Sequence, residues 1–175
     1  MKPSSTMFKR SLTIIIILLF SILTAWLFIQ AMQPEALPIG SPLPDIQYES
    51  STGIESIRSH DSPLMVVWFH EDCDHCVYQL KLIEKHLENF KGIDLYLLTS
   101  DKSFIPKRRE RLYPRLSSEY AVHWGFMANT HFKKLFGSTA RPAIFFFNRN
   151  KKLYHKIKGE MKISGIMKII DSMKI

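Results

Sequence analysis

A continuous apolar run, Pro63-Leu64-Met65-Val66-Val67-Trp68-Phe69, is followed almost at once by Cys73-Asp74-His75-Cys76 and then by a segment of helical periodicity. A run this rich in β-branched and aromatic residues reads as a strand buried on both faces, and such strands sit in the interior of a sheet. From Cys76 onward Val77, Leu80, Ile83, Leu87 and Phe90 recur at three- and four-residue spacing, with Lys81, Glu84, Lys85 and Glu88 between them. That spacing predicts one amphipathic helix reaching Phe90 and stopped by Gly92. Residues 93–99 (IDLYLLT) form a second buried strand, giving a strand-helix-strand unit with right-handed parallel pairing. A chain organised around it is α/β.

The remaining segments extend that unit. Residues 46–50 and 53–57 flank a Ser51-Thr52-Gly53 turn and read as a short leading hairpin. Residues 101–124 carry Lys102, Lys107, Arg108, Arg109, Arg111 and Arg115, interrupted by Pro106 and Pro114, and read as a solvated helix and loop. Residues 129–136 suggest a short helix ended by Gly137. The strand 143–147 (AIFFF) turns through Asn148-Arg149-Asn150 into a hairpin partner at 152–157, and a helix over 163–173 closes the chain. The expected order is hairpin, strand, helix, strand, helix, strand, strand, helix, around a mixed sheet.

The N-terminal end is different in kind. Residues 12–32 (LTIIIILLFSILTAWLFIQAM) carry no charge and have the length of about 20 residues that a helix needs to cross a hydrocarbon core. Lys2, Lys9 and Arg10 precede the run, so the positive-inside tendency keeps the N-terminus in the cytoplasm and sends the rest across. A cleaved signal peptide is the competing reading, but its apolar region is shorter, and Ile29-Gln30-Ala31 is a poor small-x-small site. The expected organisation is a cytoplasmic segment 1–11, a transmembrane anchor 12–32, a Pro-rich tether 33–45 and a folded domain 46–175. The tether follows from Pro34, Pro38, Gly40, Pro42 and Pro44. A formal charge of +8 does not point to nucleic acid, because the basic residues are scattered.

Two cysteines separated by two residues cannot cross-link distant parts of a fold, which leaves redox or metal chemistry. At a helix N-terminus the unpaired amides and the helix dipole favour a thiolate over a thiol. Cys73 is therefore the expected nucleophile. Cys76, one turn further on and inside the helix, is the expected resolver of a mixed disulfide. A charged His75 would stabilise the Cys73 thiolate, and its alternative is a polar surface residue at a helix start. His70 and Glu71 read as loop residues. His86, His123, His131 and His155 read as surface or structural.

The strand LMVVWF, the motif CDHC, its helix, and the later GSTARPAIFFF with NRNKKL resemble the thioredoxin superfamily over most of residues 42–173. The anchor, tether and leading hairpin are most similar to the membrane-tethered branch typified by TlpA and ResA. The resemblance implies a thioredoxin-like fold and thiol-disulfide oxidoreductase activity, which needs no cofactor because the sulfurs carry the two electrons. It implies that Pro142 takes the place of the cis proline facing the cysteines, with Arg141 presenting its backbone to substrate in a β-like contact. Three positions depart from the family: Asp72 replaces a tryptophan, Val67 replaces a buried aspartate, and Asp74-His75 replaces Gly-Pro. A histidine before the second cysteine is similar to strongly oxidising donors. The missing acid removes one route for deprotonating Cys76. Arg141 and His75 would favour the Cys73 anion, and Asp72 and Asp74 would oppose it.

The sequence thus leads to an oxidoreductase of the bacterial inner membrane, single-pass, with its C-terminal domain periplasmic. Its expected partners are protein thiols or disulfides, a membrane redox protein and the membrane itself. One alternative is a copper- or zinc-binding delivery module; it lacks a second Cys pair or a His-x-His at suitable spacing. Another is a peroxidase, for which the motif lacks a separate peroxide-reducing pattern.

Overall fold

The computed structural model describes residues 5–31, 37–57 and 61–173, without the side chains of 5–10, 13, 30, 31 and 105–108. The chain divides into two compact units, Met1–Glu35 and Ala36–Ile175. The first holds one helix, α1 (Ser5–Ala31), of 27 residues. Its described side chains from Ile14 to Ile29 are exposed on every side. They run unbroken only over 14–29, and among the described residues no helix is long and apolar enough to cross a membrane. The segment 1–4 with Lys2, the side chains of Lys9 and Arg10, and the start of the expected tether at 33–36 lie outside the described residues.

Among the described residues of the second unit seven strands form one sheet. They are β1 (Gln47–Glu49), β2 (Ile54–Ser56), β3 (Leu64–Phe69), β4 (Asp94–Thr99), β5 (Val122–Phe126), β6 (Ala143–Phe147) and β7 (Leu153–Lys158), in the order β2-β1-β5-β4-β3-β6-β7. β3 pairs in parallel with β4, from Leu64 opposite Asp94 to Phe69 opposite Thr99, and β4 in parallel with β5. β6 runs antiparallel to β3 and to β7, which makes the sheet mixed. All six residues of β3 are buried, as expected for a strand covered on both faces.

Alternation along β3 separates two cores. Met65, Val67 and Phe69 face one side with Cys76, Leu80 and Ile83 of α2 (Asp74–Lys85) and Ile166 and Ile170 of α6 (Ile163–Met173). Leu64, Val66 and Trp68 face the other, with Phe132 and Phe136 of α5 (Asn129–Phe136). The Trp68 and Phe132 rings stack 4.0 Å apart. Gly137, at φ 72°, ends α5 in the left-handed conformation that suits glycine.

Two expectations change. The helix after the cysteines is not continuous to Phe90; α2 ends at Lys85, and Leu87–Phe90 forms a 3₁₀ turn. Arg115 caps the break: its Nη1 donates to the Glu84 carbonyl at 3.0 Å and the Lys85 carbonyl at 3.4 Å, satisfying acceptors left open at the helix end. Leu87 and Phe90 stay buried across the break, so the periodicity reported burial correctly and helix type incorrectly. The basic stretch is not one helix and loop. It contains α3 (Phe104–Leu112), α4 (Pro114–Ser118) and, after them, the sheet strand β5. Phe104, Tyr113 and Leu116 anchor it in the core, while the side chains of Lys107 and Arg108 lie outside the described residues.

Candidate active site

β3 ends at Phe69 and the chain crosses the rim of the sheet to Cys73, which is the N-cap of α2. Cys73 and Cys76 are joined as a disulfide, with Cα atoms 5.1 Å apart. The cap is made by sulfur: the Cys76 backbone N–H donates to Cys73 Sγ at 3.2 Å. A donor in that position stabilises negative charge on the sulfur once the bond is opened. Cys76 is fully buried and Cys73 is only partly so, which gives an incoming thiol access to one sulfur alone.

The loop before β6 faces the same sulfur. The Arg141–Pro142 peptide bond is cis, and the Arg141 carbonyl oxygen lies 3.8 Å from Cys73 Sγ. The Arg141 side chain turns another way. Its Nη2 donates to Ser100 Oγ at 2.9 Å and to Asn129 Oδ1, and its guanidinium lies 5.2 Å from the centroid of the Trp68 ring. Burial lowers the Arg141 pKa from its ordinary value. Thus the backbone of Arg141, rather than its charge, is what the structure places against the cysteine.

His75 is also directed elsewhere. Its Nδ1 lies 2.9 Å from Glu160 Oε2, in the connection between β7 and α6. Val67 is fully buried in the core that holds Cys76, so β3 offers no acid at that position. Asp72 is 82% exposed beside His70, with His70 Nδ1 3.8 Å from Asp72 Oδ2.

The sequence reading missed two features of this rim. The Asp101 carboxyl is held below its ordinary pKa by side-chain hydrogen bonding, from Glu71 first and then from Ser103, whose N–H and Oγ both donate to Asp101 Oδ1 at 2.8 and 2.7 Å. Glu71 and Asp101 both follow paired strand ends, Phe69 being opposite Thr99, and nothing in the local sequence marks them as neighbours. The second is Gln79, fully buried on α2, whose Oε1 accepts from the Met161 N–H at 2.7 Å. Among the described residues no group of three His, Cys, Asp or Glu is placed to hold a metal ion.

A central β3 buried between two helical layers, a disulfide capping the helix that follows, and a cis proline opposite define a thioredoxin-like fold. The same fold recurs in solved structures of low sequence identity. A putative thiol:disulfide interchange protein DsbE from Chlorobium tepidum superposes with TM-score 0.61 at 17% identity, over 78% of this chain and 97% of that one. A thiol:disulfide interchange protein from Bacteroides sp. gives TM-score 0.61 at 16% identity, over 78% and 90%. A peroxiredoxin-like protein from Aquifex aeolicus gives TM-score 0.64 at 14% identity, over 80% and 89%. No protein-family model matches the sequence, and no curated protein matches it.

Proposed function

We propose that this protein exchanges dithiol and disulfide with protein substrates through Cys73 and Cys76, outside the cytoplasm and tethered by α1. The observation that carries the proposal is the Cys73–Cys76 disulfide itself, with a backbone donor on Cys73 Sγ and the carbonyl of a cis X-Pro residue across from it.

The chemistry needs only the two sulfurs. A substrate thiolate attacks Cys73 Sγ, the intramolecular S–S bond breaks, and Cys76 leaves as a thiolate that takes up a proton. The second substrate thiol, deprotonated, then attacks the substrate sulfur of the mixed disulfide, and Cys73 departs with the electron pair. Two electrons pass from substrate dithiol to the cysteine pair, and the reverse sequence reduces a substrate. The Arg141 carbonyl, beside the reacting sulfur, is placed to accept a hydrogen bond from an extended substrate segment. The peroxiredoxin likeness extends to the fold; a disulfide closed within one helical turn suits exchange between thiols.

Exchange is tested with the full-length chain in detergent, equilibrated with reduced and oxidised glutathione and read by thiol alkylation. The expected result is interconversion of both cysteines as a single two-electron couple. Failure of the pair to open or reclose over a wide range of glutathione ratios would refute the activity.

The anchor rests on the unbroken apolar sequence of residues 12–32 behind Lys9 and Arg10, and on the exposed apolar side chains of α1. Alkaline phosphatase folds into active enzyme only outside the cytoplasm. Fused after Ile175 it is expected to be active, and a well-expressed but inactive fusion rules out this orientation.

A further inference from the structure

We propose that Glu160 tunes the Cys73–Cys76 couple by competing with the Cys73 sulfur for the positive charge of His75. The inference rests on the dithiol-disulfide reading above and deepens it.

Glu160 is held in place by its neighbours on both sides. The Gly159 N–H donates to the Pro142 carbonyl at 2.7 Å, and the Met161 N–H donates to Gln79 Oε1 at 2.7 Å. The first bond ties the β7–α6 connection to the proline loop, and the second ties it to the buried face of α2. The residue between them reaches His75 Nδ1 at 2.9 Å, in the first turn of the cysteine helix. Asp72 and Asp74 come from the same segment as His75, and Glu160 comes from the connection facing it. The guanidinium of Arg141 is taken by Ser100 and Asn129.

Redox state changes what His75 can pair with. In the disulfide, Cys73 carries no charge, and a protonated His75 has Glu160 as its partner. When a substrate dithiol delivers two electrons and leaves as a disulfide, Cys73 becomes a thiolate. Of the two protons the substrate gives up, one goes to Cys76 and the other to solvent. The new thiolate sits two residues before His75, and the imidazolium can now stabilise one anion only at the expense of the other. Glu160 therefore favours the oxidised form and makes the couple less oxidising than His75 alone would. Because the His75 side chain is 72% and the Glu160 side chain 43% exposed, solvent screens the competition and the effect is modest.

The test is a double-mutant cycle on the full-length chain in detergent, equilibrated with glutathione at about pH 7, where a histidine can carry charge and a cysteine at a helix N-terminus can ionise. Glu160→Gln is expected to shift the equilibrium about threefold toward the reduced form, or about 14 mV at about 30 mV per tenfold. Glu160→Asp, which keeps the charge, is expected to fall between Glu160→Gln and wild type. In a His75→Ala background Glu160→Gln is expected to change nothing. No shift, a shift toward the disulfide, or an equal shift in the His75→Ala background overturns the role of Glu160. A wild-type chain that exchanges normally in that experiment leaves the oxidoreductase reading standing, whereas a wild type that does not exchange at all removes that reading instead.

Discussion

Cys76→Ser is expected to abolish turnover of dithiol substrates, on the order of 10³-fold or more, while leaving a chain that captures substrate covalently through Cys73. Cys73→Ser is expected to lose both turnover and capture. The asymmetry follows from burial: Cys76 is fully buried and faces the core with Leu80 and Ile83, while Cys73 is partly exposed at the helix terminus. An incoming sulfur meets Cys73 first, and only Cys76 is close enough to release it. Non-reducing electrophoresis of cells carrying each variant reads the result as higher-mass complexes that reductant dissolves. Equal capture by both variants would mean that Cys76 is accessible and that the roles assigned from the helix cap are wrong.

The sheet around this site was legible in the sequence wherever one physical signal dominated. β3, β4 and β6 are apolar almost throughout because both faces are covered, and runs such as LMVVWF and AIFFF leave no polar face to turn toward water. α2 announces itself by its spacing, and the cysteine pair by its place between strand and helix. What stayed hidden is set by contacts between distant segments. Glu160 meets His75 across 85 residues of chain, and nothing local to either marks the pair. Arg141 reads as a charge beside the cysteine until Ser100 and Asn129, 41 and 12 residues away, are found to hold its side chain. The end of α2 is likewise capped from a distance, by Arg115 about 30 residues beyond the carbonyls it meets, while the buried spacing runs on through Leu87 and Phe90. β5 escaped notice because Val-His-Trp-Gly-Phe alternates poorly and contains a glycine, a residue that ordinarily weakens a strand.

That glycine is where the second large effect is expected: Gly125→Ala should destabilise the folded domain by about 1–3 kcal/mol, and Gly125→Val by more. Strand β1 lies beside β5, and the Tyr48 ring fills the space a side chain at 125 would occupy. A Cβ there would come within 2.8 Å of Tyr48 Cγ and 3.1 Å of Leu98 Cδ2. Neither neighbour can yield easily. Tyr48 is 3% exposed, meets Tyr96 edge-on at 6.0 Å and donates its hydroxyl to Glu55 Oε2 at 3.0 Å. Leu98 is fully buried in the same core. Glycine at this position therefore serves close approach between neighbouring strands, and its loss should push β1 and β2 from the sheet edge. Thermal or urea unfolding followed by circular dichroism measures the cost. If steric conflict with Tyr48 is the cause, Tyr48→Ala combined with Gly125→Ala should cost less than the sum of the two single changes, since the smaller residue opens the space the new methyl needs. Strict additivity would show that Tyr48 is not what excludes a side chain at 125.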